Sequence, residues 1–206
     1  MTLTGNPNIV DSGFDAAPAN PMLLFKQWLK SAEALKVSEP RGFVLSTVDN
    51  SGKPSSRVVL LKDLEDTGII FSTSSLSQKG KDLSSNPIAS GTLWWREAMQ
   101  QIKFSGSVTI LSDDMSDAIF NERSIEAKAA ASISIQSDVM KDEQLMRAAV
   151  ASLIKADKPI PRPKTWYAYH IKIDSIEFWL GNVDRFHNRL RYDLKDGIWH
   201  HHKLQP

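Results

Sequence analysis

The sequence predicts an antiparallel β-barrel, closed or split, with helices set around it. Three observations predict this. From Gly42 onward short β-rich runs follow one another, separated by turn chemistry such as DNSGKP and EDTG. Helical patterns interrupt the strand series instead of alternating with every strand. The 206 residues are enough to bury a core in one domain.

Residues 1–20, MTLTGNPNIVDSGFDAAPAN, mix Gly, Pro, Asn and Asp with few large apolar groups and read as a flexible, poorly ordered arm. The barrel domain is expected over 21–206. Asn20 and Pro21 are N-cap and N1 of a first helix, in which Leu24, Phe25, Trp28, Leu29, Ala32 and Leu35 recur at helical spacing. The runs GFVLSTV, RVVLLKDL, GIIFST, IASGTLWW and QIKFSGSVTIL are strands of a meander. A short helical piece falls over 77–85, and DDMSDAIFNERS is another, with acids in its first turn. Residues 141–157 are the clearest late helix, with Leu145, Ala148, Ala149, Leu153 and Ile154 on one face, and KPIPRPKT ends it. TWYAYHIKIDSIEFWLG alternates as one long bent strand or two. RLRYDLKDGIWHHHKL is a hairpin around Asp196 and Gly197.

Composition excludes several functions. A net charge of +1 gives no global footprint for nucleic acid or an anionic membrane, so any anion site is local. The absence of cysteine removes disulfides, thiolate metal sites and a cysteine nucleophile. No apolar run approaches the ~18 residues of a membrane span, and 1–20 is not a signal peptide, so a cytoplasmic location is expected. Rossmann and P-loop fingerprints, a nucleophile elbow and H-E-x-x-H are all missing. No metal site is expected: His200, His201 and His202 would alternate faces of a strand and chelate poorly.

What remains is a set of separated cations and hydrogen-bonding groups. Arg57 and Lys62, five apart, point to opposite faces of an ideal strand and meet one ligand only if the strand bends; otherwise they are two solvated charges. Ser72 and Thr73 end a strand, and Lys79 and Lys81 follow near a helix start, which suits a phosphate, although capping alone accounts for the serines. Gln100 and Gln101 begin a strand, where an amide can read a heteroaromatic edge or simply face solvent. Arg185, His187 and Arg189 share one face if extended, and they repel unless an anion sits there or acids such as Asp184 and Glu177 pair with them. Trp179 offers a flat wall for an aromatic ring.

Together the segments RVVLLK, FSTSSLSQK, Asn86-Pro87, QQI, Gln136-Ser137 and EFW…RFHNRLRY resemble the pyridoxamine 5′-phosphate oxidase family of FMN-dependent split-barrel proteins, in order and spacing from about residue 24 to 206. The resemblance implies an FMN-binding split β-barrel and a homodimer with FMN at the subunit interface. By matched position, Arg57, Val58, Val59, Leu60, Leu61 and Lys62 run along the flavin, and Arg57 and Lys79 take its phosphate, with Thr73 and Ser77 nearby. Gln101, Gln136, Ser137, Trp179 and Arg189 match further FMN contacts. Gln78 stands where the family usually has arginine, and Ser72 where it has an aromatic residue.

On the substrate side, Lys62, Arg123, Arg185 and His187 match residues that hold the phosphorylated pyridine, whereas Ile119 replaces a tyrosine and Ala127 a serine. The small segment EAKAAASISI leaves room for a larger ring. This pattern is more similar to the phenazine-biosynthesis flavin oxidase branch, which implies oxidation of reduced phenazine carboxylic acids with oxygen as acceptor, giving hydrogen peroxide. The substrate is then a small aromatic carboxylate, met by Arg185 and His187, with His187 as candidate proton acceptor. The alternatives are pyridoxine or pyridoxamine 5′-phosphate oxidation, and a flavin- or haem-binding split barrel without turnover.

Overall fold

The computed structural model describes residues 13–206. Helix α1 (Pro21–Ala34) starts where the sequence puts it, with Asn20 Oδ1 accepting from the Met22 N–H at 2.9 Å and Pro21 in the first turn. Its buried face includes Leu24, Phe25, Trp28, Leu29 and Ala32 and lies on the sheet. The expected arm over 1–20 falls outside the described residues as far as 12. From 13 to 20 the chain is packed against the core. Phe14 is buried and stacks on Trp28, with ring centroids 5.8 Å apart. Asp15 pairs with Lys203, and the Tyr192 hydroxyl donates to the Pro18 carbonyl at 3.0 Å. Composition suggested a solvated tail, but a single aromatic ring is enough to anchor so short a segment.

The sheet comprises β1 (Gly42–Val48), β2 (Pro54–Leu60), β3 (Asp63–Leu64), β4 (Gly68–Ser74), β5 (Ile88–Trp95), β6 (Gln100–Ile110), β7 (Trp166–Leu180), β8 (Asn188–Lys195) and β9 (Ile198–Lys203). Its order is β2-β1-β5-β6-β7-β4-β3, all antiparallel, with β8 also on β7 and β9 on β8. One edge of β7 carries β6 along most of its length. The other edge carries β4 over 166–172 and β8 over 175–180, so the sheet divides there into the two halves of a split barrel.

The long strand is bent by a bulge. The register with β6 shifts between Ser105 and Gly106, leaving Asp174 without an opposite residue. The parity of burial changes at that point: Tyr169, Ile171 and Ile173 face the core before it, and Ile176, Phe178 and Leu180 after it. Gly106 is required here, because a Cβ would run into the Lys172 carbonyl. The β8–β9 turn has φ of 51° at Asp196 and 78° at Gly197, the two positive values of a tight type I′ hairpin.

Three helices besides α1 follow expectation: α2 (Gln78–Ser85), capped by Ser77, α3 (Asp113–Asn121), and α5 (Glu143–Lys155), capped by Asp142. Helix α4 (Ile125–Ile133), capped by Ser124, was legible only as a small apolar segment. Helix α5 has no buried residue, and Leu145 on its apolar face stays 69% exposed, so the periodicity that marked it is not satisfied within one chain. A second, smaller core joins Ile119 and Phe120 of α3 to Ile70, Trp166 and Ala168.

Candidate functional site

A cavity of about 720 Å³ opens between β2 and α4. Arg57, Val58, Val59 and Leu60 form one wall, and Ala127, Ala130, Ala131 and Ser134 the other. Lys62 lines it too, although five residues separate it from Arg57. The strand breaks in between: β2 ends at Leu60, and the Lys62 N–H turns to the Ile70 carbonyl at 2.7 Å. That break is the bend which brings both cations to one cavity. Leu61 is buried in the main core and does not line the cavity.

Ser72, Thr73 and Ser74 at the end of β4 close the floor with Lys79 and Gln136. Lys79 Nζ lies 3.2 Å from Ser77 Oγ and 3.1 Å from Gln136 Oε1, and Thr73 Oγ1 lies 3.3 Å from Ser77 Oγ. Ser77 caps α2, its hydroxyl accepting from the Gly80 N–H. A Cβ at Gly80 would press on the backbone of Ser74 and Ser75, so glycine permits the tight packing of α2 on this turn. The Lys79 side chain is 6% exposed, and burial, aided by the Arg57 charge, brings its pKa down to about 8. Among the described residues no carboxylate lies within ion-pair distance of Lys79. A buried ammonium beside a second cation and a helix N-terminus is an environment suited to an anion.

Arg57 is held from behind. Its Nη1 donates to Thr47 Oγ1 at 2.8 Å and its Nη2 to Ser55 Oγ at 2.6 Å, while Thr47 donates to the buried Asp82 at 2.6 Å. Asp82 also accepts from Gln78 Nε2 at 2.8 Å, so the Gln78 side chain braces this relay and stays outside the cavity lining. Ser137 accepts from the Gln78 N–H at 3.2 Å and ties its loop to α2. Sequence reasoning missed Thr47, Asp82 and Trp166. Thr47, at an inward position of β1, was the one visible signal: a polar residue on a buried face needs a partner.

At the far edge, the Arg123 guanidinium lies over Trp166, 5.1 Å from the centroid, and donates to the Ala127 carbonyl at 3.1 Å. Burial lowers its pKa. Ala127 lines the cavity, but Ile119 does not; it is turned into the second core.

The other predicted residues form a separate group. Trp94, Gln101, Trp179 and Arg189 stand in one cross-strand row from β5 to β8. His187 packs on Trp179 with centroids 4.7 Å apart, and Arg189 is paired with Glu177 at 2.7 Å. Arg185, His187 and Arg189 do not share a strand face as the extended reading required; β8 starts at Asn188, so Arg185 and His187 lie in the loop before it, with Arg185 exposed at a φ of 70°. None of Gln101, Trp179, Arg185, His187 and Arg189 lines the cavity. The predicted site residues therefore fall into two separate groups within one chain. A helix long and apolar enough to cross a membrane is absent from the described residues.

Two family descriptions match this chain: pyridoxamine 5′-phosphate oxidase over residues 30–155, and the pyridoxine 5′-phosphate oxidase C-terminal dimerisation region over 166–206. The chain belongs to the pyridoxamine 5′-phosphate oxidase family. Within this family it is 39% identical over 205 residues to a dihydrophenazinedicarboxylate synthase of Pseudomonas chlororaphis, covering all of this chain and 92% of that one. It is 40% identical over 190 residues to a pyridoxine/pyridoxamine 5′-phosphate oxidase of Actinobacillus succinogenes, covering 91% and 90%. Among solved structures, PhzG from Burkholderia lata in complex with tetrahydrophenazine-1-carboxylic acid superposes with a TM-score of 0.94 at 37% identity, covering 97% and 98%. An FMN-binding relative from Nostoc punctiforme, at 19% identity and a TM-score of 0.75, shares the fold. The strand pattern leaves the barrel closed or split; the split form implied by the resemblance is the family fold, and the match at 166–206 makes β7–β9 the family's dimerisation region.

Proposed function

We propose that this chain is an FMN-dependent oxidase that aromatises reduced phenazine carboxylic acids, with FMN held between two copies of the chain. The observation that carries the reading is the cavity wall of Ala127, Ala130, Ala131 and Ser134, which faces the apolar side chains of β2 across a space with a cationic edge. Such a slot suits a flat tricyclic acid stacked on a second ring system. Identity alone does not divide the subfamilies, since 39% and 40% are equivalent; the small side chains of the α4 wall support the phenazine reading.

The buried Lys79 fits a phosphate, as do the Thr73 and Ser77 hydroxyls and the α2 N-terminus. Arg57, fixed by Thr47 and Ser55, adds a second charge, and β2 would lie along the isoalloxazine. Gln101, Trp179 and Arg189 lie away from this cavity in their own chain, so a partner subunit is the natural source of these contacts. The same holds for Arg185 and His187, which we assign to the substrate carboxylate together with Arg123. Gln136 and Ser137 hold the loop that closes the phosphate corner.

Bound FMN supplies a two-electron acceptor that dioxygen restores, yielding hydrogen peroxide. The protein's share is alignment: apolar walls exclude water, and the arginines fix the acid group so that the ring to be oxidised lies flat on the cofactor. Aromatisation of the product supplies driving force without a strong base. Oxidation of pyridoxine 5′-phosphate is the second reading, favoured by the Actinobacillus relative and by Arg123, Arg185 and His187. Aerobic incubation with a tetrahydrophenazine carboxylate tests the proposal: hydrogen peroxide should appear in step with aromatic phenazine absorbance. Peroxide from pyridoxine 5′-phosphate alone would favour the second reading.

A further inference from the structure

The loop between β7 and β8 engages one ring nitrogen of His187 within the chain and leaves the other without a hydrogen bond among the described residues. The Asn182 backbone N–H donates to His187 Nδ1 at 3.1 Å. Such a donor requires a lone pair at Nδ1, so the proton of the neutral imidazole sits on Nε2. The loop is built to hold this contact. Asn182 Nδ2 donates to the Phe186 carbonyl at 2.6 Å, the Phe186 N–H donates to Asp184 Oδ1 at 2.9 Å, and the Arg185 N–H donates to the Asn182 carbonyl at 3.3 Å. Arg185 takes its left-handed φ of 70° to close the turn, and Trp179 supports the ring from one side.

We propose that His187 meets the substrate as a hydrogen-bond donor through Nε2–H, not as a proton-accepting base, and that Asn182 is the positioning residue that sets this tautomer. The only lone pair of the neutral ring faces the Asn182 N–H, and the nitrogen left for a ligand already carries its proton. An anionic carboxylate oxygen is the acceptor this donor suits, beside the Arg185 guanidinium. The choice of acceptor rests on the phenazine reading; the tautomer does not.

Ring nitrogen NMR of the FMN-loaded protein, carrying ¹⁵N-labelled histidine and assigned with His187→Gln, tests the tautomer without turnover. The expected result is a His187 Nδ1 resonance in the range of a bare acceptor nitrogen and an Nε2 resonance in the range of N–H; the reverse pattern would overturn the proposal. Asn182→Ala, which opens the clasp on Phe186, should move the His187 signals toward a tautomer mixture, and unchanged signals would remove Asn182 from its positioning role. In turnover of a tetrahydrophenazine carboxylate, His187→Gln keeps an amide N–H near the Nε2 position and should stay within about tenfold of the parent in kcat, whereas His187→Leu should fall further. Equal losses of about a hundredfold or more in both variants are the signature of a base and would contradict the donor role. If the NMR shows the expected tautomer while no phenazine is oxidised, the donor assignment is supported and only the substrate reading fails.

Discussion

Glu177 clamps Arg189 in a half-buried ion pair, with Nε at 2.8 Å and Nη2 at 2.7 Å from the same carboxylate oxygen. The other oxygen lies 3.1 Å from Lys103 Nζ, and Arg191 is the register neighbour of Glu177 on β8. One acid therefore pairs with two cations beside the Trp94–Gln101–Trp179–Arg189 row, while Arg191 is held by its own partner, Asp193. Glu177→Gln removes the charge that Arg189 and Lys103 share and should cost about 1.5 kcal/mol of stability, the worth of a hydrogen bond to a charged group, read as a lower urea midpoint. It should also weaken FMN binding, because Arg189 loses its anchor. An unchanged midpoint and FMN affinity would show that the clamp is idle.

Lys79 gives a pH dependence of known sign. Its pKa of about 8 is depressed by burial and by Arg57, so the unfolded chain binds more protons between about 8 and 10.5. Stability of the cofactor-free protein should rise with pH in that window. FMN affinity should move the other way, because the phosphate needs the ammonium and the proton is lost as pH rises through 8. The fall can reach about tenfold per pH unit for one linked proton. Lys79→Met should stabilise the cofactor-free protein, weaken FMN binding at pH 7 and flatten its pH profile, as checked by flavin fluorescence titration.

Ala127 and Ile119, the two positions at which the resemblance expects serine and tyrosine, should answer differently to those substitutions. Ala127 lines the cavity, so Ala127→Ser should improve pyridoxine 5′-phosphate KM by about tenfold, the effect of one hydrogen bond to a charged group of ~1.5 kcal/mol. Ile119 is 7% exposed within the second core, so Ile119→Tyr should overpack it at a cost of about 1–3 kcal/mol. Thermal unfolding separates the two: only the second variant should melt early.

Phe14→Ala should cost about 3 kcal/mol, because the ring is 4% exposed and stacked on Trp28. Chemical denaturation measures this. A loss of a few tenths would mean that the segment before α1 is a loosely held tail after all.

Most of the fold was legible because its signals are local. Asn20-Pro21 marks a helix start, Asp196-Gly197 a tight hairpin, and alternation marks each strand. What was not legible depends on tertiary context. The Asp174 bulge shows only as a change of parity within an otherwise regular strand, and the break after Leu60 has no Gly or Pro to announce it. Spacing alone put Arg185, His187 and Arg189 on one strand face, but β8 starts only at Asn188, so Arg185 and His187 lie in the loop before it and only Arg189 is on the strand. Thr73, Ser77 and Lys79 could be grouped from the sequence because hydroxyls and a lysine at a helix start are a local pattern, and the structure brings them within hydrogen-bonding distance of one another. The Thr47–Asp82 support behind Arg57 joins residues 35 apart, which no local pattern records.

Anaerobic mixing of the FMN-loaded protein with a tetrahydrophenazine carboxylate, and separately with pyridoxine 5′-phosphate, tests the central claim most directly. Flavin absorbance should bleach with the phenazine at least about tenfold faster than with the vitamin phosphate, a difference of ~1.4 kcal/mol in barrier. Faster bleaching by pyridoxine 5′-phosphate would contradict the account and make the alanine wall of α4 irrelevant to substrate choice.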